Sequence, residues 1–137
     1  MPEVEQIKVR DLISRPEPIV VKKDVSLKEA AKLMADERIG FLVVVADEDE
    51  RKVIGVLSER DIINAFGYGK DEVKVKDIMK TSVVHVYIDD PISKAAKLMK
   101  EHNIRHLVVL DRDNKLTGVL SIKDLTYKEG ALFSLIF

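Results

Sequence analysis

Hydrophobic positions along this chain alternate between strand-like runs and helix-spaced stripes, and the order of the two recurs twice. After a brief helical turn at Val9 to Ser14, Arg15-Pro16-Glu17-Pro18 forces extended backbone into Ile19-Val20-Val21, which reads as a first strand. Ser26-Leu27-Lys28-Glu29 has the form of a capping box. Leu27, Ala30, Ala31 and Met34 follow it at i, i+3, i+4 and i+7, which predicts a helix with one narrow apolar face. Alanines on that face let it lie close against a sheet. Phe41-Leu42-Val43-Val44-Val45 is a continuous run of the kind a strand buried on both faces carries, and the charged loop Asp47 to Lys52 turns it into a further strand, Val53 to Leu57. A short helix from Asp61 to Phe66 closes this half, ended by Gly67-Tyr68-Gly69.

The second half replays that order. Val75-Lys76-Asp77-Ile78 echoes Val9-Arg10-Asp11-Leu12, and Ile92, Ala95, Ala96 and Met99 reproduce the helix stripe at one constant offset. The helix start differs, with Asp90 expected as N-cap and Pro91 at the first helical position. Leu107-Val108-Val109-Leu110 matches Leu42 to Val45, and the hairpin that follows is two residues shorter. Each half is thus β-α-β-β-α, a size that leaves one sheet face bare. The expected fold is α/β of the α+β type, two such repeats (9–67 and 75–128) packed sheet to sheet around a pseudo-twofold axis. Beyond them, 129–137 forms an apolar tail in which six of the seven residues from Ala131 to Phe137 are apolar; it should dock on its own core or on a partner.

Composition narrows the class of function. Basic and acidic side chains nearly balance, 23 against 24, which disfavours a basic nucleic-acid groove or an anionic membrane surface as partner. There is no cysteine, so disulfides and thiolate metal sites are excluded, as a reducing cytoplasm allows. The start, Met1-Pro2-Glu3-Val4-Glu5, lacks a signal pattern and no apolar run is long enough to span a bilayer, so the expectation is a soluble cytoplasmic protein.

Candidate chemistry lies in a duplicated motif. Gly55-Val56-Leu57-Ser58-Glu59-Arg60-Asp61 and Gly118-Val119-Leu120-Ser121-Ile122-Lys123-Asp124 place glycine, serine and aspartate at identical spacing, each where a strand runs into a helix. Such an entrance offers unpaired N–H groups and a positive dipole end, which suits an anion. Ser-x-x-Asp is equally the form of a helix capping box, and the serine can do both jobs; two copies within matching frames favour a site. Arg105 and His106, between a helix end and a strand start, suit either a phosphate clamp or a solvated pair beside helix-terminal carbonyls. His102 and His106 have i, i+4 spacing, but Asn103-Ile104 ends the helix between them and no further ligand pattern completes a zinc site, so no metal is expected. His85 stands without recognisable company. No Ser/His/Asp set suggests catalysis, and the chain reads as a non-enzyme.

The repeated frame closely resembles the cystathionine-β-synthase (CBS) domain. The resemblance rests on the helices Leu27-Lys28-Glu29-Ala30-Ala31-Lys32-Leu33-Met34 and Ile92-Ser93-Lys94-Ala95-Ala96-Lys97-Leu98-Met99, on Ile104-Arg105-His106-Leu107-Val108-Val109-Leu110-Asp111, and on Gly-x-x-Ser-x-x-Asp. It extends from about Val9 to Lys128, with Val108 standing where many members carry proline, and two copies in tandem resemble a Bateman module. What the likeness implies is a regulatory module that binds an adenosine ligand (AMP, ADP, ATP or S-adenosylmethionine), works through a regulated partner protein and pairs as a homodimer. Asp61 and Asp124 would read the ribose hydroxyls, with Ser58 and Ser121 donating to phosphate. Adenine would lie against Ile19, Val20, Gly40, Thr81, Val83 and Ile104, residues that serve equally well as ordinary core. Arg105, His106 and Lys123 are expected to serve the ligand of Asp61 across the pseudo-twofold axis, leaving Arg60 to that of Asp124. The alternative is a structural or dimerisation module with no ligand.

Overall fold

In chain order the elements are α1 (Val9–Leu12), β1 (Val20–Lys22), α2 (Leu27–Glu37), β2 (Phe41–Ala46), β3 (Asp49–Ser58), α3 (Glu59–Gly67), α4 (Val75–Ile78), β4 (His85–Tyr87), α5 (Ile92–His102), β5 (His106–Leu110), β6 (Leu116–Ser121) and α6 (Ile122–Lys128). The computed structural model describes residues 7–13 and 17–128; the apolar tail expected at 129–137 and the Ser14-Arg15-Pro16 stretch lie outside the described residues. The described residues divide into two compact units, Ile19–Val83 and a split unit that joins those up to Pro18 to those from Val84. Each carries the expected β-α-β-β-α order, an α+β architecture.

In the Ile19–Val83 unit the sheet order is β1-β2-β3. β1 runs parallel to β2 with Val20 opposite Val43, and β2 runs antiparallel to β3 with Phe41 opposite Ser58. β2 is buried from Leu42 to Ala46, as a continuous apolar run demands. Helix α2 begins where the Ser26 hydroxyl accepts from the Glu29 N–H at 3.0 Å and ends at Arg38 in the left-handed region (φ 56°). Its stripe of Leu27, Ala30 and Met34 packs on Leu42, Val44 and Leu57, with Ile62 of α3 completing the layer. Val75 of α4 is fully buried in this same core. Three backbone bonds tie that segment down: Val75 N–H to Val25 C=O, Lys76 N–H to Lys23 C=O and Leu27 N–H to Val73 C=O, each 2.9 Å.

The split unit repeats the arrangement. Its order is β4-β5-β6, with His85 opposite Val108 in the parallel pair and His106 opposite Ser121 in the antiparallel one. Helix α5 ends at Asn103, again left-handed (φ 51°). The core gathers Ile92 and Met99, Leu107 and Leu120, and Leu125 of α6, and it is completed by Val9 and Leu12 of α1. Here the ties are Val9 N–H to Asp90 C=O (2.9 Å), Arg10 N–H to Ile88 C=O (3.0 Å) and Ile92 N–H to Ile7 C=O (2.9 Å). The turn that opens each sequence repeat therefore sits in the compact unit built from the other repeat's strands.

Two local expectations are corrected. Asp90 does not cap α5: Pro91 occupies the N-cap with extended backbone and no side-chain bond, and the Asp90 carboxylate accepts from the Tyr87 N–H at 2.8 Å. Among the described residues Asp90 is one of two buried charged groups, and the Tyr87 N–H, at the turn from β4 toward α5, claims it. The charged stretch Asp47 to Lys52 is not all loop, since β3 already starts at Asp49 with an irregular register. Glu50, Arg51 and Lys52 are exposed there, and charge facing solvent does not interrupt a backbone ladder.

Candidate functional site

The register brings the first residues of β1 and β2 and the last of β3 to one end of the Ile19–Val83 sheet. Ser58 ends β3 and is the N-cap of α3. The Asp61 Oδ2 accepts from the Ser58 N–H and from its hydroxyl, both at 2.9 Å, and the Ser58 Oγ accepts from the Asp61 N–H at 3.2 Å. This is a complete capping box. The other carboxylate oxygen, Oδ1, faces the ammonium of Lys80 at 3.5 Å. Asp61 is 11% exposed at its side chain while Lys80 is 69% exposed, so a nearly enclosed carboxylate meets a cation in water. Gly40 sits beside this entrance: its C=O accepts from the Glu59 N–H at 2.9 Å, and a Cβ on it would come within 2.8 Å of the Glu59 carboxyl carbon. Ile19 is at the same sheet end, where its C=O faces the Val43 N–H at 3.5 Å.

Glycine at the head of the motif has a steric cause. A Cβ on Gly55 would lie 2.7 Å from Met79 Sδ and 3.1 Å from the Lys80 carbonyl oxygen. That segment, just after α4, is stitched to β3 by reciprocal bonds between Val56 and Lys80, each 2.9 Å. In the split unit a Cβ on Gly118 would meet two Ile13 side-chain carbons at 3.3 Å, and Ile13 follows α1 as Met79 follows α4.

The split unit builds its own version of the entrance. Asp124 is buried; its Oδ2 accepts from the Ser121 N–H at 2.7 Å and from the Ser121 hydroxyl at 3.2 Å. The Arg105 C=O accepts from the Ile122 N–H at 2.8 Å, and His106 is paired with Ser121 across the sheet. Arg105, His106 and Lys123 thus share a unit with Ser121 and Asp124, while Ser58, Arg60, Asp61, Ile19, Val20, Gly40, Thr81 and Val83 belong to the other. Ile104 precedes β5, with its N–H on the Met99 C=O at 3.0 Å. His102 is on the last turn of α5 and His106 on β5, separated by left-handed Asn103. Among the described residues no group of three or more His, Asp or Glu is placed to hold a metal ion, and no helix is long and apolar enough to cross a membrane. Lys80 was not among the residues singled out from the sequence, because its partner Asp61 lies far off along the chain and no spacing rule connects them.

Two copies of one β-α-β-β-α unit, each ending in a serine–aspartate helix entrance, define a tandem-repeat chain with a duplicated strand-to-helix motif. The model of the CBS domain matches residues 9–68 and again 75–129, and the chain belongs to that family. A CBS domain protein from Pyrobaculum aerophilum, complexed with AMP, is similar at 33% identity and a TM-score of 0.87, covering 94% of this chain and 98% of that one. The CBS domain pair of protein MJ0100, in complex with 5′-methylthioadenosine and S-adenosyl-L-methionine, shares 28% identity at a TM-score of 0.81, covering 91% and 97%. An uncharacterised 17.7 kDa protein of Acidianus ambivalens is 35% identical over 77% of this chain; the match spans 63% of that relative, so this chain covers less than two thirds of its length.

Proposed function

We propose that this chain is a regulatory module that binds an adenosine ligand, AMP, ADP, ATP or S-adenosylmethionine, in the cytoplasm and modulates a partner protein, with no catalysis of its own. The observation that carries this reading is the duplicated helix entrance, a strand-borne serine and an enclosed aspartate, in a chain whose Pyrobaculum relative binds AMP. Asp61 and Asp124 accept from ribose hydroxyls, and Ser58 and Ser121 with the helix N–H groups meet the phosphate. Ile19, Val20, Gly40, Thr81 and Val83 flank adenine in one unit and Ile104 in the other. Arg105, His106 and Lys123 lie in the unit of Asp124 and Arg60 in that of Asp61, and all four are cationic donors for a ligand phosphate.

A structural module without ligand is the second reading, favoured by one observation: Ser58 and Asp61 form a complete reciprocal capping box. Thermal melting separates the two. A ligand present at about 100 times its dissociation constant adds about 2.7 kcal/mol to the native state, so the four adenosine ligands should raise the unfolding temperature and guanosine nucleotides should raise it less. Melting curves unmoved by all four at millimolar concentration leave the ligand-free reading standing. Homodimerisation belongs to the same proposal: Ile63, Phe66 and Tyr68, on α3 and its C-cap, are exposed large hydrophobic side chains that suit a second copy. Light scattering should give a dimer mass, and a monomer mass at tens of micromolar contradicts it.

A further inference from the structure

Asp61 divides its two oxygens between two jobs. Oδ2 is engaged by the Ser58 N–H and hydroxyl, which leaves Oδ1 as the acceptor to which a ribose diol can donate, and Lys80 Nζ stands 3.5 Å from that atom. Lys80 does not wander there from a loose loop. Its N–H and C=O are both bonded to Val56 at 2.9 Å and its carbonyl lies over Gly55, so the root of the side chain is fixed beside the motif while its head, 69% exposed, can swing.

We propose that Lys80 is a specificity-determining residue that sets the charge class of the ligand at Asp61, favouring an adenosine with a 5′-phosphate over one with a neutral thioether or a sulfonium. This rests on the adenosine-ligand reading above. Without ligand, the ammonium neutralises Oδ1. A ribose diol donating to Oδ1 displaces the ammonium from its partner, yet the flexible stem keeps the charge within reach of whatever the 5′ carbon carries. A phosphate restores a charge-assisted bond, a thioether offers only a weak acceptor, and a sulfonium meets like charge. The other motif differs in sequence: aligning Val75-Lys76-Asp77-Ile78 on Val9-Arg10-Asp11-Leu12 puts Ser14 opposite Lys80.

The test uses the full chain carrying Asp124→Ala, so that a single motif is read, and calorimetry with AMP, 5′-methylthioadenosine and S-adenosylmethionine. With Lys80 present AMP should bind most tightly. Lys80→Met should weaken AMP by about tenfold or more, the equivalent of one charge-assisted contact, while 5′-methylthioadenosine stays level or tightens because Oδ1 is no longer contested. Lys80→Arg should keep the AMP preference. Equal loss for both ligands, or an unchanged ratio between them, overturns the assignment of Lys80 and leaves the adenosine-ligand reading intact. If the unmutated chain binds none of the three probes, that reading fails and takes the proposal with it. Should Asp124→Ala not melt cooperatively, Asp124→Asn replaces it, since the amide oxygen still accepts from the Ser121 N–H.

Discussion

One surface ion pair makes the packing of α4 sensitive to pH. Asp24 accepts from Lys76 at 3.0 Å, and that bond, more than the Coulombic pull of Lys76 and Lys23, holds the Asp24 carboxyl below the usual carboxylate range. A carboxyl depressed on folding contributes stability that is complete above its unfolded pKa and is lost as pH falls through the folded value. Because Asp24 links the β1–α2 turn to α4, acid should loosen α4 from the Ile19–Val83 core. Asp24→Asn should accordingly narrow the melting-temperature difference measured between about pH 7 and about pH 3; an unchanged difference removes the pair from the account. The two helix entrances were legible in the sequence, because Ser58, Asp61, Ser121 and Asp124 announce themselves by repetition. Lys80 did not, for its role depends on a bridge to Val56 that only the folded chain shows.

Elements, unlike single contacts, follow from periodicity. The stripes Leu27, Ala30, Ala31, Met34 and Ile92, Ala95, Ala96, Met99 became the core-facing sides of α2 and α5, all buried but Ala31, which is partly so. Boundaries obeyed competition for donors and acceptors: Asp90 was read as a cap by residue type, but burial beside the Tyr87 N–H decided its partner. The motif glycines show the same point sterically. Gly55→Ala drives a methyl toward Met79 Sδ and against the Lys80 backbone carbonyl, whereas Gly118→Ala meets only the Ile13 side chain at 3.3 Å, which can give way. Chemical denaturation should show Gly55→Ala destabilised by about 1–3 kcal/mol, the usual toll of overpacking, with the smaller loss in Gly118→Ala. The reverse order would mean that the segment after α4 yields more readily than its bonds to Val56 indicate.

On the scale of the whole chain, sequence repeats and compact units do not coincide, and no periodicity could have revealed it. Val9-Arg10-Asp11-Leu12 and Val75-Lys76-Asp77-Ile78 are near-equivalent in pattern, so either suits either core; which one each joins is a matter of connection, not composition. Leu12, 4% exposed, lies in the split unit's core, and Leu12→Ala should cost about 2–5 kcal/mol. Hydrogen exchange should then accelerate in β4, β5 and β6 before it does in β2 and β3, and equal acceleration in both sheets would show the two cores opening together. The division also imposes an order on synthesis. A ribosome delivers Ile19–Val83 as one uninterrupted stretch, able to close its core as soon as it emerges, whereas Val9 and Leu12 leave the exit tunnel ahead of it and find their partners only when Leu120 and Leu125 have been translated. Over that interval the Val9–Leu12 turn is apolar surface in waiting.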